Sequence, residues 1–373
     1  VDDILKALAA ALQGDASAVE IVTDPDGTAR AVTVETPGFE DAAVVVRTSG
    51  STGAPKATVL TIDALAASSM ATAIALRGEG QWLLALPLQY VAGIQVLVRS
   101  LFAGTRPWAM DLSAGFTPEG FTAAALELTD TIRFTSLVPT QLQRLLDDPS
   151  AGTLAVLRRF NAILLGGAPA PAGLLEAAHD AGLHVVTTYG SAETCGGCVY
   201  DGEPLDGVEV RIDGDGRILL GGSTLAAGYL DAPEAADFFE EDGDRWYRTG
   251  DLGELSPEGK LTVLGRADDV IITGGVKVSA AHVQAELEKL DGVSAAYVAG
   301  VPSAEWGQAV AAYLAVGEPA AAGADELLAA GRSALGALAP KTVITAPALL
   351  MLSNGKPDRL AMGALLSEQH QAE

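Results

Sequence analysis

The chain has 373 residues, 49% of them apolar and 19% charged, a balance that suggests about two folded globular domains. Its formal net charge of −25 argues against nucleic acid and anionic membrane surfaces as partners, so any site for a phosphate ligand must supply its cations locally. Apolar runs have strand length and the chain opens on acidic residues, so no signal peptide and no membrane insertion are expected, and the expected location is cytoplasmic.

Within residues 1 to 40, Ile4, Leu5, Leu8 and Leu12 share one face of an amphipathic helix, and a hairpin is expected around Asp24-Pro-Asp-Gly27. The run Ala42 to Val46 reads as a buried strand and delivers Thr48-Ser-Gly-Ser-Thr-Gly-Ala-Pro-Lys56. Glycines there let backbone N–H groups approach a ligand with no Cβ in the way. Hydroxyls and N–H groups converging on one point suit a polyphosphate, and Lys56 adds positive charge. No Gly-Lys-Ser/Thr ends the stretch, so it is not a Walker loop; a plain Ser/Gly/Thr hairpin loop is the other reading.

An Ala-rich helix follows from Thr61 to Leu76, with Thr61 or Asp63 as cap, and then a buried strand, Trp82 to Leu86. After Pro87-Leu-Gln-Tyr-Val-Ala-Gly93 comes an apolar helix carrying Arg99, which needs a partner or must snorkel to solvent. A ligand carboxylate is one such partner. Strands at Thr135, Phe160 to Leu165 and Leu183 to Thr187 alternate with helices, one of them with Thr140 as N-cap, which predicts a mostly parallel, doubly wound sheet. Ligands bind at the carboxyl ends of such strands, where Thr48 to Lys56, Gly166 to Pro169 and Tyr189 to Thr194 fall. Cys195-Gly-Gly-Cys198 holds the only two cysteines, and the four histidines are scattered, so core or pocket lining is favoured over redox or zinc chemistry.

From Val208 to Leu264 short strands and turns predict a small antiparallel barrel or sheet. Gly265 to Gly275 reads as linker, strand and tight turn. A compact α+β module then runs to the end, with Val283, Leu287 and Leu290 on a helix and Ala295 to Val301 as a strand. The expected boundary divides 1–267 from 268–373, at Asp268, and Glu318 to Ala324 is linker-like.

Five segments in order now resemble the adenylate-forming superfamily, which includes acyl-CoA synthetases, peptide-synthetase adenylation domains and luciferases. Besides the first loop they are Tyr189-Gly-Ser-Ala-Glu193, Tyr247-Arg-Thr-Gly-Asp251, Gly265-Arg-Ala-Asp268 with Gly274-Gly275, and Asn354-Gly-Lys-Pro-Asp-Arg359. Each alone is weak; in register over nearly the whole chain they are specific. The resemblance implies an α/β fold: a large N-terminal domain of doubly wound, mostly parallel sheets with a small β-barrel-like part, and a small mobile α+β C-terminal domain. It also implies ATP, magnesium and CoA as reactants and cofactors.

Carboxylate attack on the α-phosphate brings two anions together, so catalysis is mostly positioning and electrostatic stabilisation. The resemblance makes Lys356 the main catalytic cation, against a plain reading as a solvated lysine in a Gly-Pro turn. It places Thr48, Ser49, Gly50, Ser51, Thr52, Gly53 and Lys56 around the phosphates, and Glu193 offers magnesium a hard oxygen, with Thr52 beside it. Tyr189 offers adenine a flat face against the thin wall of Gly166, Gly167 and Ala168. Asp251 accepts from both ribose hydroxyls, or is simply a turn residue, and Arg266 reaches ribose or phosphate, or makes a surface ion pair. Tyr90, Arg99, Gly190 and Ser191 fall at the acid pocket. Tyr90 replaces the usual histidine and Ala192 the usual threonine, so a phosphate hydroxyl contact passes to Ser191 or Thr194, or is missing. Rotation about Asp268 swings Lys356 away and brings Gly274-Gly275 to the CoA side.

Only 47 residues precede Thr48, a shortened segment. With the Gly166-Gly-Ala-Pro169 wall and Arg99, it makes the chain most similar to the short o-succinylbenzoate–CoA ligases of menaquinone biosynthesis. The expected partners are then small molecules: ATP, o-succinylbenzoate and CoA. Another short aryl- or acyl-acid CoA ligase, a carrier-loading adenylation domain and a non-catalytic nucleotide-binding relative stay open, as does a homodimer.

Overall fold

The computed structural model describes residues 1–24, 27–49, 55–232, 234–316, 323–352 and 357–372. The chain divides into two compact units. One comprises Val1–Arg211, Leu219–Thr249 and Leu255–Leu261; the other comprises Ile212–Ile218, Gly250–Glu254 and Thr262–Glu373.

In the first unit, the helix Asp2–Leu12 buries Ile4, Leu8 and Ala11, which recur at helical spacing. The expected hairpin follows, Val19–Thr23 paired antiparallel with Ala29–Thr33. Across the first sheet the strands run Gly228–Tyr229, Pro55–Thr61, Ala42–Ser49, Val19–Thr23 and Ala29–Thr33. This sheet is mixed: Val19–Thr23 lies parallel to Ala42–Ser49, while Ala42–Ser49 and Pro55–Thr61 are antiparallel. The sequence reading lacked the strand Pro55–Thr61, whose alanine and β-branched residues run into the Ala-rich helix behind it. Packing decides for strand, because Ala57 and Val59 are buried against Ala42 and Val45. The helix Ile62–Ala75 then begins where expected, its Thr61 hydroxyl accepting from the Ala64 N–H at 3.1 Å.

The second sheet holds the predicted parallel body. Val185–Ser191, Ala162–Leu165, Arg133–Leu137, Gln81–Leu84 and Trp108–Ala109 are neighbours in that order, all parallel. Gly196–Tyr200 and Glu203–Pro204 extend it antiparallel at one edge. Leu83, Leu137, Ile163 and Leu165 pack with Phe121, Leu142, Leu157 and Leu174 from the helices on one face. The helix Pro139–Leu146 is capped at Val138, not at Thr140. Proline takes the first helical position and Gln141 Oε1 accepts from the Val138 N–H at 3.0 Å, which moves the start two residues upstream.

The short strands after Val208 form a five-stranded sheet: Val208–Ile212, Arg217–Gly222, Asp244–Leu255 and Phe238–Glu241 in order, with Leu261–Arg266 also on Asp244–Leu255. In the second unit the strand Gly307–Val316 is central. Val293–Ser303 pairs with it antiparallel and Thr342–Ala346 parallel. Val283, Leu287 and Leu327 pack with Val298 and Leu314, whereas Met362 and Leu366 from the last helix pack with Val301 and Tyr313. That is the predicted α+β module. Among the described residues no helix is long and apolar enough to cross a membrane.

Candidate active site

The two described ends of the expected phosphate-loop stretch lie on the antiparallel strands Ala42–Ser49 and Pro55–Thr61. Thr48 stands opposite Lys56 and Ser49 opposite Pro55, so Thr48 and Lys56 point to one face there. Gly50, Ser51, Thr52 and Gly53 lie outside the described residues. Lys56 Nζ is 2.5 Å from Asp237 Oδ2 and 4.4 Å from the centre of the Tyr229 ring. Tyr229 is brought there by pairing of Gly228–Tyr229 with Val59 and Thr58. Its hydroxyl donates to Glu193 Oε1 at 2.8 Å. Burial pushes the Tyr229 phenol well above its ordinary range, and the Glu193 charge adds to this. The phenol therefore stays a donor to the carboxylate throughout the useful pH range.

Glu193, only 7% exposed, sits in the single helical turn Ala192–Thr194 after the strand Val185–Ser191. The Thr194 hydroxyl closes this turn, accepting from the Ser191 N–H at 3.0 Å and donating to Gly196 O at 2.7 Å. Thr194 is thus committed to the turn, and Ser191 Oγ is the hydroxyl with no hydrogen-bond partner among the described residues. Two glycines here are required by contact. A Cβ on Gly190 would lie 2.1 Å from Gly196 O, and one on Gly166 would lie 2.3 Å from Thr188 Oγ1. Gly167 follows at φ +84° and Ala168 is half-buried, while Tyr189 lies on the strand Val185–Ser191. The thin wall at Gly166–Ala168 and the strand carrying Tyr189 are neighbours through this Gly166–Thr188 approach.

Cys195 takes a left-handed conformation at φ +53°, and its carbonyl accepts from Gln95 Nε2 and, at 3.3 Å, from Ser68 Oγ. Both cysteines are buried thiols in the reduced state. Burial pushes Cys198 up to about 12 and Cys195 higher still, so neither is a nucleophile near neutral pH.

Tyr90 occupies the N-cap position of the helix Val91–Phe102, and a Cβ on Gly93 would lie 2.3 Å from Pro87 O, so the helix packs on its own entry turn. Two turns on, Arg99 does not snorkel. It is 6% exposed, lies over the Trp82 ring at 5.1 Å, and donates from Nη2 to Tyr200 Oη at 3.3 Å. Its Nε and Gln95 Oε1, one helical turn apart, are buried with no hydrogen-bond partner among the described residues. A guanidinium held by a phenol and an indole has no counter-ion from those groups, and an unpaired buried charge is costly.

In the second unit, Arg266 lies against Gly250, where a Cβ would be 2.5 Å from Nη2. Nη1 is 3.6 Å from Asp251 Oδ1 and Nη2 donates to Asp268 Oδ2 at 3.1 Å. Burial lowers the Arg266 pKa, but Asp251, Asp268 and Asp269 outweigh it and the net shift is upward. The expected ribose carboxylate, its arginine and the expected hinge residue are thus one cluster. Gly274 and Gly275, at φ +56° and +81°, make the tight turn between Val270–Thr273 and Val276–Ser279. Such angles suit glycine. Lys356 lies outside the described residues. Arg359, from the same segment, pairs with Asp269.

Comparison with known proteins matches residues 3–230 to the AMP-binding enzyme family and residues 282–356 to the AMP-binding enzyme C-terminal domain. The chain belongs to the AMP-binding enzyme family. Among curated members of this family it is 45% identical over 318 residues to a probable 2-succinylbenzoate–CoA ligase of Mycobacterium tuberculosis, covering 84% of this chain and 82% of that one. It is 32% identical over 299 residues to the 2-succinylbenzoate–CoA ligase of Listeria monocytogenes, covering 76% of this chain and 62% of that one. Among solved AMP-binding structures, o-succinylbenzoate CoA synthetase from Bacillus subtilis in complex with the acyl-adenylate intermediate superposes with TM-score 0.74 at 28% identity, over 88% of this chain and 69% of that one. ATP-bound MatB from Rhodopseudomonas palustris gives TM-score 0.78 at 26% identity, over 93% and 75%.

For this AMP-binding enzyme the sequence reading missed Tyr229 and Asp237, which complete the surroundings of Glu193 and Lys56. Asp237 is 181 residues from Lys56 and Tyr229 is 36 from Glu193. Neither sits in a segment whose composition signals a ligand. The one local cue is Gly228 before Tyr229, at φ +148°, in an otherwise apolar stretch.

Proposed function

We propose that the chain is an AMP-forming 2-succinylbenzoate–CoA ligase acting in the cytoplasm. The observation that carries the choice of acid is that the curated relatives over most of this chain are named for 2-succinylbenzoate, and a solved acyl-adenylate complex for o-succinylbenzoate. In the first step the succinyl carboxylate oxygen attacks the α-phosphorus of ATP and the bond to pyrophosphate breaks. In the second the CoA sulfur attacks the acyl carbonyl carbon, the thiol proton is lost, and AMP leaves.

Thr48, Lys56 and the intervening loop are assigned to the triphosphate, supported by a cation and a hydroxyl sharing the face at the end of the Ala42–Ser49/Pro55–Thr61 strand pair. Glu193 is assigned to magnesium with Thr52. Tyr229 uses one lone-pair position of the Glu193 carboxylate, which offers about four, so donor capacity remains. Magnesium is commonly held by one or two carboxylates plus substrate phosphates, and one buried glutamate fits that pattern. When bound it would neutralise charge on the phosphates.

Asp251 is assigned to the ribose hydroxyls, with Arg266 orienting its carboxylate, and Lys356 to the α-phosphate. Arg99 is assigned to the carboxylate that is not activated. Its support is a buried guanidinium whose Nε has no partner among the described residues. Asp268 is assigned as the hinge between 1–267 and 268–373. Asp268→Pro is expected to preserve acyl-adenylate formation and impair thioester formation, because proline fixes φ.

The test is a panel of acids assayed for ATP-dependent pyrophosphate release and then for CoA thioester formation. 2-Succinylbenzoate should give both. Turnover of another aryl or acyl acid in its place would overturn the assignment of the acid while leaving the ligase chemistry standing.

A further inference from the structure

The ammonium meant for the nucleotide's phosphates is already occupied. Lys56 Nζ is 2.5 Å from Asp237 Oδ2, and the two side chains are 34% and 41% exposed, so an incoming anion can reach the pair. Asp237 belongs to a stretch laid along the edge of the Ala42–Ser49/Pro55–Thr61 strand pair. Leu230 N–H donates to Ala57 O at 2.8 Å, and Asp231 pairs with Arg47 at 3.3 Å.

An ammonium has three donors and no preferred fork. The Tyr229 ring, 4.4 Å below, already favours Lys56 in place through its negative face. Asp237 is therefore not needed to locate Lys56. What it adds is a negative charge where a second negative group must bind, in a chain whose net charge is −25. We propose that Asp237 is an internal competitor for the phosphates: it holds Lys56 in the nucleotide-free chain, yields it to the β- and γ-phosphates, and so sets ATP affinity. This rests on the ATP-dependent reading above.

The test is calorimetric titration of the intact chain with ATP and, separately, AMP, each variant first checked by thermal melting. Asp237→Asn should bind ATP about two- to fivefold more tightly, the range for an exposed ion pair. It should bind AMP unchanged, since AMP lacks both outer phosphates. Asp231→Asn makes the same charge change in the same stretch but away from Lys56, and should leave both affinities unchanged. In a Lys56→Met background Asp237→Asn should no longer tighten ATP. Weaker or unchanged ATP binding by Asp237→Asn would overturn the proposal and mark Asp237 as a positioning or surface group. Equal tightening by Asp231→Asn, or equal tightening toward AMP, would reduce it to a general charge effect and overturn it as well. A wild-type chain that binds no ATP would overturn the nucleotide reading along with it; ATP binding with no response at Asp237 removes this inference alone.

Discussion

On the helix Val91–Phe102 a guanidinium is buried between a phenol and an indole, whereas at the end of the Ala42–Ser49/Pro55–Thr61 strand pair an ammonium is paired with a carboxylate above an aromatic ring. Both cations have an aromatic face to lie on, but their anions differ. Arg99 is the more buried and its named neighbours are neutral. Lys56 is half-exposed and its charge is balanced by Asp237. Burial without a counter-ion raises the cost of the empty site and so strengthens the attraction for an anion that enters it. A balanced, wetter pair gains less from the same anion, because one ion contact is exchanged for another. On the assignments proposed above, Arg99 would give a large discrimination between acids and Lys56 a readily reversible grip on phosphate.

A third cation gives the outer limit of that contrast. Lys356→Ala is expected to cut acyl-adenylate formation by several orders of magnitude, through loss of charge stabilisation in the transition state, while ATP affinity and unfolding midpoint barely move. Pyrophosphate release near the wild-type rate would remove Lys356 from the chemistry.

Next in size is Arg99→Ala, expected to raise KM for 2-succinylbenzoate about tenfold to a hundredfold, the worth of a charge-assisted pair, with KM for ATP unchanged. An analogue lacking the aromatic carboxylate should respond little, and Arg99→Lys should fall between, keeping charge but losing the fork. Equal losses for both acids would make Arg99 a packing residue and dissolve the contrast with Lys56.

Tyr229→Phe probes the element that joins the ammonium to Glu193. It leaves the buried carboxylate without its donor at 2.8 Å, and is expected to cost about 1–3 kcal/mol of stability in urea unfolding. An unchanged midpoint would show Glu193 to be satisfied without Tyr229.

The smallest effect concerns the buried thiols. Cys198 is raised from an ordinary value near 9 to about 12, with Cys195 raised as well. Above pH 9 the unfolded chain loses these protons while the folded chain keeps them. Stability contributed by the thiols is therefore fully present below pH 9 and declines as pH rises toward 12. Replacing both with alanine should flatten that decline and leave the pH 6–8 plateau shape unchanged. Iodoacetamide at pH 8 should label neither thiol until the chain is unfolded; labelling of the folded chain would contradict their burial.

By itself the sequence determined the alternation of apolar strands and helices that gives the parallel body. It also supplied the glycines at 166, 190, 274 and 275, where a close contact (Thr188 Oγ1 at Gly166, Gly196 O at Gly190) or a positive φ (Gly190, Gly274, Gly275) disfavours a Cβ. The five motif segments, in order, carried the resemblance to the adenylate-forming family, which the AMP-binding family matches bear out. Tertiary structure alone decided that Pro55–Thr61 is a strand, because a short run of alanine and β-branched residues has no period to separate it from the helix that follows. It alone put Tyr229 on Glu193, Asp237 on Lys56 and Tyr200 on Arg99, 36, 181 and 101 residues apart. These partners are chosen by strand pairing and burial across the fold. Nothing in a local window encodes which distant side chain will fill the space beside a charge.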